Sequence, residues 1–241
     1  MKLALRIDDI GASSKKFELY SKQPVGNLLF LKYLRSFRAW GPYEELSTLQ
    51  WQEIFDILKK TGVKLTIAIT AAWVERDGRL IPFPQKFPQQ AAALKKALDE
   101  GLIEIANHGL SHCVIGKHLP RLFTSNRKFH REFWPWLDEN IHYEHIKKSQ
   151  QILQEYFEIV VTTLVPPGNV FSEATIKAAA QFGIKLINCN TKSKTINSIR
   201  ILGNENVFAF HDRDIMFGGT EWLEKRLQKK SGVEYCFVSE L

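Results

Sequence analysis

Leu3-Ala4-Leu5-Arg6-Ile7-Asp8-Asp9-Ile10-Gly11 is an apolar, β-favouring run that stops on two adjacent carboxylates. Working outward, the run Leu3–Ile7 has six counterparts: Lys64–Ile69, Ile103–Ala106, Val160–Val165, Ile184–Asn188, Val207–Phe210 and Glu234–Val238. Helical periodicity fills most of the gaps between them. Ser47-Thr48-Leu49-Gln50 reads as a capping box for a helix ending near Thr61-Gly62, and further helices fit Gln89–Glu100, His142–Tyr156, Ser172–Phe182 and Thr220–Lys230. Gly101, Gly183 and Gly232 stand where three of these should stop. Strands alternating with helices pair in parallel through right-handed crossovers. An open doubly wound sheet and a closed barrel both satisfy that pattern. No glycine-rich phosphate loop follows the first strand, which favours the barrel, with seven strands. No linker, repeat or low-complexity tract interrupts the chain, so residues 1–241 are expected to form a single domain.

Composition bounds the function. With 241 residues, 44% of them hydrophobic, the chain can bury a sizeable core. The net charge of +7 comes largely from pairs such as Lys59-Lys60, Lys95-Lys96, Lys147-Lys148 and Lys229-Lys230. They sit on helical patterns and read first as a solvated face; attraction to an anionic substrate such as a phosphorylated sugar carrier is the functional reading. No nucleic-acid motif is present. Cys113, Cys189 and Cys236 are odd in number and irregularly spaced, which argues against disulfides and cysteine zinc sites. No apolar run reaches membrane-span length and no signal-like segment opens the sequence, so the default expectation is cytoplasmic.

The chemistry gathers where strands end. The first strand ends in Asp8-Asp9, the third in Asn107-His108 with His112 four residues on, the fourth in Pro166-Pro167-Gly168-Asn169 and the sixth in His211-Asp212. In parallel α/β folds the C-terminal strand ends share one rim, where active sites lie. A spacing of four would put His108 and His112 on one face of a helical turn. Two imidazoles and a carboxylate suit a divalent ion with open positions. Zn²⁺ is favoured, though Co²⁺, Mn²⁺ and Fe²⁺ also suit such ligands. Of Asp8 and Asp9, one would be a ligand and the other a general base; the competing reading is an Asp-capped turn before Gly11. His142 and His145, on a polar helix, read as ordinary. Two long connections, from Ile10 to about Leu46 and from Cys113 to about Ile141, are lid candidates or satellite cores. From the second, Arg127, Lys128, Phe129, Arg131 and Trp134 are expected beside the site.

Together these segments resemble the polysaccharide deacetylase family (NodB-homology, carbohydrate esterase family 4). Arg6-Ile7-Asp8-Asp9-Ile10-Gly11 is similar to its Thr-Phe-Asp-Asp-Gly motif. His108-Gly109-Leu110-Ser111-His112 is similar to its His-(Ser/Thr)-x-x-His. Leu164-Val165-Pro166-Pro167-Gly168 resembles its Arg-Pro-Pro-Tyr-Gly, and Phe208-Ala209-Phe210-His211-Asp212 its Leu-x-x-His. The resemblance implies a deformed seven-stranded (β/α) barrel and hydrolysis of an N-acetyl, or sometimes O-acetyl, group on a sugar. By position it makes Asp8 the general base, Asp9, His108 and His112 the metal ligands, and His211 the general acid. Backbone N–H groups near Pro167-Gly168-Asn169 would hold the oxyanion, and Trp134 would contact substrate.

The departures are specific. Gly109 replaces Ser/Thr, Val165 replaces the Arg that pairs with the catalytic Asp, and Gly168 replaces the aromatic. Arg6, two residues before Asp8 on the same strand face, is placed to substitute for that Arg. No Asp around Asn188–Lys194 matches the one that tunes the acid histidine, and for Asp212 and Asp214 a plain acidic turn is the preferred reading. The substrate expected is an acetylated sugar precursor, for which a diphosphate link would suit the charge. The alternatives are a non-catalytic metal- and sugar-binding member of the same fold, and a hydrolase of a non-sugar C–N bond.

Overall fold

The computed structural model describes residues 1–17, 44–115, 131–227 and 232–241. Strand β1 (Lys2–Ile10) lies inside the sheet, with every residue after Lys2 buried. It pairs in parallel with β2 (Leu65–Ile69) on one side and β10 (Val207–His211) on the other, and β11 (Glu234–Cys236) pairs with its first residues. The sheet continues through β5 (Ile103–Asn107), β6 (Thr163–Leu164) and β7 (Leu186–Asn188) to β9 (Ile199–Leu202), all parallel. These include the seven strands expected from the sequence. β8 (Lys194–Ile196) adds an antiparallel edge on β9, giving nine strands in the order β10-β1-β2-β5-β6-β7-β9-β8, with β11 beside β1. The sheet curls into a half-barrel, the deformed barrel anticipated, with two more strands than expected.

The unforeseen strands belong to short hairpins. β8 and β9 turn through Asn197 and Ser198, both at positive φ, as tight two-residue turns require. β3 (Ala72–Val74) and β4 (Leu80–Pro82) form a separate antiparallel pair joined across Asp77-Gly78. Runs of three or four residues carry too little alternation to be recognised from hydrophobic pattern alone.

The helices obey the expected local chemistry. In α2 (Thr48–Thr61), the Gln50 N–H donates to Ser47 Oγ (3.2 Å) and the Ser47 N–H to Gln50 Oε1 (2.9 Å), and Gly62 ends the helix at φ +66°. Trp51, Ile54, Phe55 and Leu58 form its buried stripe, packed on the main core with Ile7, Leu65 and Ile67. Helices α4 (Pro88–Asp99), α5 (Glu139–Phe157), α6 (Glu173–Gln181) and α8 (Thr220–Leu227) each bury a similar face. Three short α-helices, α1 (Ser14–Phe17), α3 (Phe83–Lys86) and α7 (Asp212–Gly218), and two 3-10 turns, Pro167–Asn169 and Val238–Glu240, complete the described elements.

Several of the basic pairs lie at the surface in ion pairs: Lys59 with Glu100 (2.8 Å), Lys60 with Glu224 (2.7 Å) and Lys95 with Glu158 (2.9 Å). That is the solvated face; Lys229-Lys230 lies outside the described residues. The three cysteines are buried and form no disulfide. Among the described residues, no helix is long and apolar enough to cross a membrane.

Candidate metal centre

Alternation along a strand would send Asp8 and Asp9 to opposite faces. A β-bulge prevents this. Ile7 pairs with Ile67 and Ile10 with Ile69, so β1 carries one extra residue there, and Asp9 takes a left-handed φ of +69°. Such a bulge re-aims a side chain at the end of a ladder. Both carboxylates consequently line one cavity of about 360 Å³, shared with His108, His112, Arg131, Val165, Pro166, Gly168, Asn169, Val170, His211 and Arg213.

His108 extends β5, its N–H donating to Ile69 O (2.8 Å). The path to His112 is not the helical turn expected from the spacing. It is a loop with Gly109 at φ +82° and His112 at φ +61°. It is held from both sides: Asn107 Oδ1 accepts from the Gly109 N–H (2.8 Å), while the carbonyls of Gly109 and Leu110 accept from Ala71 and Ala72. Its interior is filled by the Glu132 carboxylate, which accepts from the N–H groups of Leu110 (2.6 Å), Ser111 (3.3 Å) and His112 (2.9 Å). His145 Nδ1 lies 2.6 Å from the same carboxylate. His145, expected to be ordinary, is thus buried support for this loop. His142 is also buried, against Thr175 Oγ1 at 3.0 Å. Their helix is amphipathic, and both histidines fall on its inner face.

Asp9 Oδ1 lies 3.1 Å from His108 Nε2 and 3.0 Å from His112 Nε2, and all three side chains are buried. His108 Nδ1 sits 2.6 Å from Val165 O, an acceptor, so the proton of a neutral imidazole is on Nδ1. Its bare Nε2 then faces a carboxylate oxygen, an arrangement that a cation between them resolves. Ser14 Oγ bonds His112 Nδ1 (2.7 Å) and orients that ring likewise. Burial depresses the His112 pKa, favouring the neutral form a metal requires. Burial alone would raise Asp9, but hydrogen bonding to His108 and His112 and the charges of His112 and His211 hold it well below the usual carboxylate range. Asp9, His108 and His112 therefore fit a divalent ion, and among the described residues they are the His/Cys/Asp/Glu group so gathered.

Around this set, Arg6 grips Asp8 in a two-pronged pair, Nε to Oδ1 and Nη2 to Oδ2, both 2.7 Å. Arg6 itself is buried behind Asp8 and also donates to Asn188. His211 Nε2 lies 3.8 Å from Asp9 Oδ2. Asp214 accepts from the His211 N–H (2.9 Å) and lies 3.8 Å from its Nδ1, so this acidic residue orients the histidine, contrary to the plain-turn expectation. Asp212 is equally far from a plain turn. It is buried and paired with Lys15, which also meets Glu45 at 3.5 Å. Burial opposes the Lys15 charge, but Asp212, Glu45 and Asp9 outweigh it.

The remaining expected residues divide. Gly168 and Asn169 line the cavity, but the Asn169 N–H is engaged by Pro166 O (3.0 Å). Pro167 does not line it and packs beside Gly109. Trp134 does not line it either; it stacks on Trp136, ring centroids 4.3 Å apart. Arg131 does line it, while Arg127, Lys128 and Phe129 lie outside the described residues. Sequence reasoning missed Glu132, Ser14, Lys15 and Arg213. Glu132 alone carried a signal, being the one acidic residue between Cys113 and Trp136.

A family profile described as polysaccharide deacetylase matches residues 41–187. Among solved structures, a candidate polysaccharide deacetylase from Mycobacterium smegmatis is 12% identical, with 99% of this chain and 88% of that one covered and a TM-score of 0.59. A mutant of a Bacillus anthracis CE4 family pseudoenzyme, with restored enzymatic activity, is 16% identical over 100% and 67% of the two chains, TM-score 0.52. A 4-alpha-glucanotransferase from Thermococcus litoralis is 11% identical over 100% and 40%, TM-score 0.53. At such identities these likenesses speak to the fold. No curated protein matches the chain.

Proposed function

Because the chain belongs to the polysaccharide deacetylase family, we propose that it is a metal-dependent hydrolase that removes an acetyl group, N-linked by preference, from a sugar, with residues 1–241 acting as one catalytic domain. One observation carries the reading: a three-ligand set shares a cavity with an ion-paired carboxylate, Asp8, and an oriented histidine, His211. A divalent ion held by Asp9, His108 and His112, Zn²⁺ in the first instance, would supply Lewis acidity toward the acetyl carbonyl and a water acidified to a pKa of about 7.

The chain's own groups do the rest. Asp8 lines the cavity with both oxygens fixed by Arg6, and its remaining lone pairs would take the proton from water. Arg6 thereby supplies the partner that Val165 cannot. His211, with Asp214 behind it, would protonate the leaving amine. Asn169 being engaged, the N–H contribution to an oxyanion falls to Gly168. The binding-only alternative has less support, since holding a metal and a sugar requires neither Asp8 nor His211 in the cavity.

The test is metal content measured together with acetate release. Purified protein should carry close to one divalent ion, lose it in His112→Ala, and release acetate from N-acetylated sugars. Full occupancy in His112→Ala would overturn the ligand set. A metal-loaded protein that releases no acetate from any acetylated sugar would overturn the catalytic reading.

A further inference from the structure

Two of the family's side chains are missing from this site, and one dipeptide stands in both places. A Cβ on Gly109 would collide with the Glu132 carboxylate. A Cβ on Gly168 would fall 2.5 Å from Arg131 Nε and 2.7 Å from its Cζ. Gly109 and Gly168 are where the sequence lacks the Ser/Thr and the aromatic. Glu132 is fully buried and tied to three backbone N–H groups of the metal loop. That anchor fixes the backbone of its neighbour and delivers the Arg131 guanidinium onto the Gly168 backbone, in the wall of the cavity.

The two substitutions are unlike in charge. Where the family has a neutral aromatic, this cavity has a permanent cation in its wall. Arg131 has no carboxylate within ion-pair distance among the described residues. Asp8 is taken by Arg6, Asp9 by the two histidines, and Glu132 by the loop and His145. A second guanidinium, Arg213, lines the same cavity. The half-buried Arg131 guanidinium, beside a reaction site, is suited to a planar or tetrahedral oxyanion, which it can bind through two parallel hydrogen bonds.

Resting on the deacetylase reading, we propose that the substrate carries an anionic group, a phosphate or a carboxylate, close to its acetylated carbon, and that Arg131, positioned by Glu132, binds it. Arg131 is then a specificity residue and Glu132 a positioning residue.

The experiment compares N-acetylglucosamine with its 1-phosphate, its 6-phosphate, its nucleoside-diphosphate conjugate and an N-acetylated uronic acid, on metal-loaded wild type and on Arg131→Gln and Arg131→Lys. At least one anionic member should exceed the neutral sugar in kcat/KM by about 10–100-fold, the worth of one charge-assisted contact. Arg131→Gln should erase that preference through KM, costing the charged sugar about 10–100-fold more than the neutral one; Arg131→Lys should keep part of it. The member preferred identifies the anion and its position. Equal use of neutral and charged sugars, or equal losses on both in Arg131→Gln, would overturn the proposal. Calorimetric binding of the same sugars separates it from the catalytic reading. If no acetate is released, an Arg131-dependent preference in binding still supports the anion site, and its absence still rejects it.

Discussion

Asp9 occupies a left-handed backbone conformation that costs a non-glycine residue on the order of 1–3 kcal/mol, and it does so inside the central strand. The bulge it creates is what lets two adjacent carboxylates serve one cavity with different partners, Asp9 facing two imidazoles and Asp8 facing Arg6. The roles should separate by substitution. Asp8→Asn is expected to retain the metal while losing nearly all turnover, and Asp9→Asn to weaken metal binding itself. Elemental analysis beside acetate release reads both, and the reverse pattern would exchange the roles. His211 gives a second residue-scale expectation. Burial alone would lower its pKa; the hydrogen bond to Asp214 and the charges of Asp9 and Asp8 outweigh burial and raise it. An acid must be protonated to act, so activity should fall as pH rises through this raised value. Asp214→Asn should move that alkaline limb to lower pH. The same linkage contributes stability that is full below the unfolded value of about 6.5 and lost as pH rises through the folded one. His211→Ala should slow amide hydrolysis by about 10²–10⁴-fold and hydrolysis of an activated ester much less, since that leaving group hardly needs the proton. Equal losses on the two would remove the histidine from the mechanism. The Asp8-Asp9 pair was legible because two adjacent carboxylates close an apolar, β-favouring run. Asp214 was not, because an acidic turn after a histidine has the same spelling whether or not it points at the ring.

At the scale of elements, strands and long helices were readable because each carries enough residues to show its period. The α2 stripe Trp51-Ile54-Phe55-Leu58, with Ser47 before it and Gly62 after it, is complete in the sequence alone. The metal loop was not readable. His108 and His112 at a spacing of four invite a helix, and the loop that forms instead owes its shape to Glu132, twenty residues beyond His112 and on another segment. Such a contact has no local pattern. Its weight is testable. Glu132→Ala would leave three buried N–H groups without their acceptor and His145 without its partner. At about 1–3 kcal/mol for each unmet buried group, urea unfolding should show a loss of roughly 3 kcal/mol or more, accompanied by weaker metal binding. A variant of unchanged stability and unchanged metal affinity would mean that the hydrogen bonds from Asn107, Ala71 and Ala72 suffice to hold the loop.

On the whole molecule, the ligands join parts of the chain that lie about 100 residues apart in sequence. Asp9 belongs to the central strand, and His108 and His112 follow β5 two strands away; His112 is braced by Ser14, and Lys15 beside it reaches Asp212 after β10. A cation bound there is held by the folded chain and lost on unfolding, so its binding free energy adds to global stability and not merely to local order. The size of the effect follows from mass action. A free metal concentration of about 100 times its Kd should add about 2.7 kcal/mol. For a chain of this length, each kcal/mol moves the melting temperature by about 2–4 °C, so saturation should raise it by roughly 5–11 °C and a chelator should reverse the shift. Asp9→Asn should show a much smaller shift at the same ion concentration, because one of its three ligands is lost. Arg131→Gln should keep the full shift, because that residue faces substrate and makes no bond to the ligands. A metal shift that survives Asp9→Asn unchanged would place the ion elsewhere in the fold, and with it the chemistry assigned to this rim.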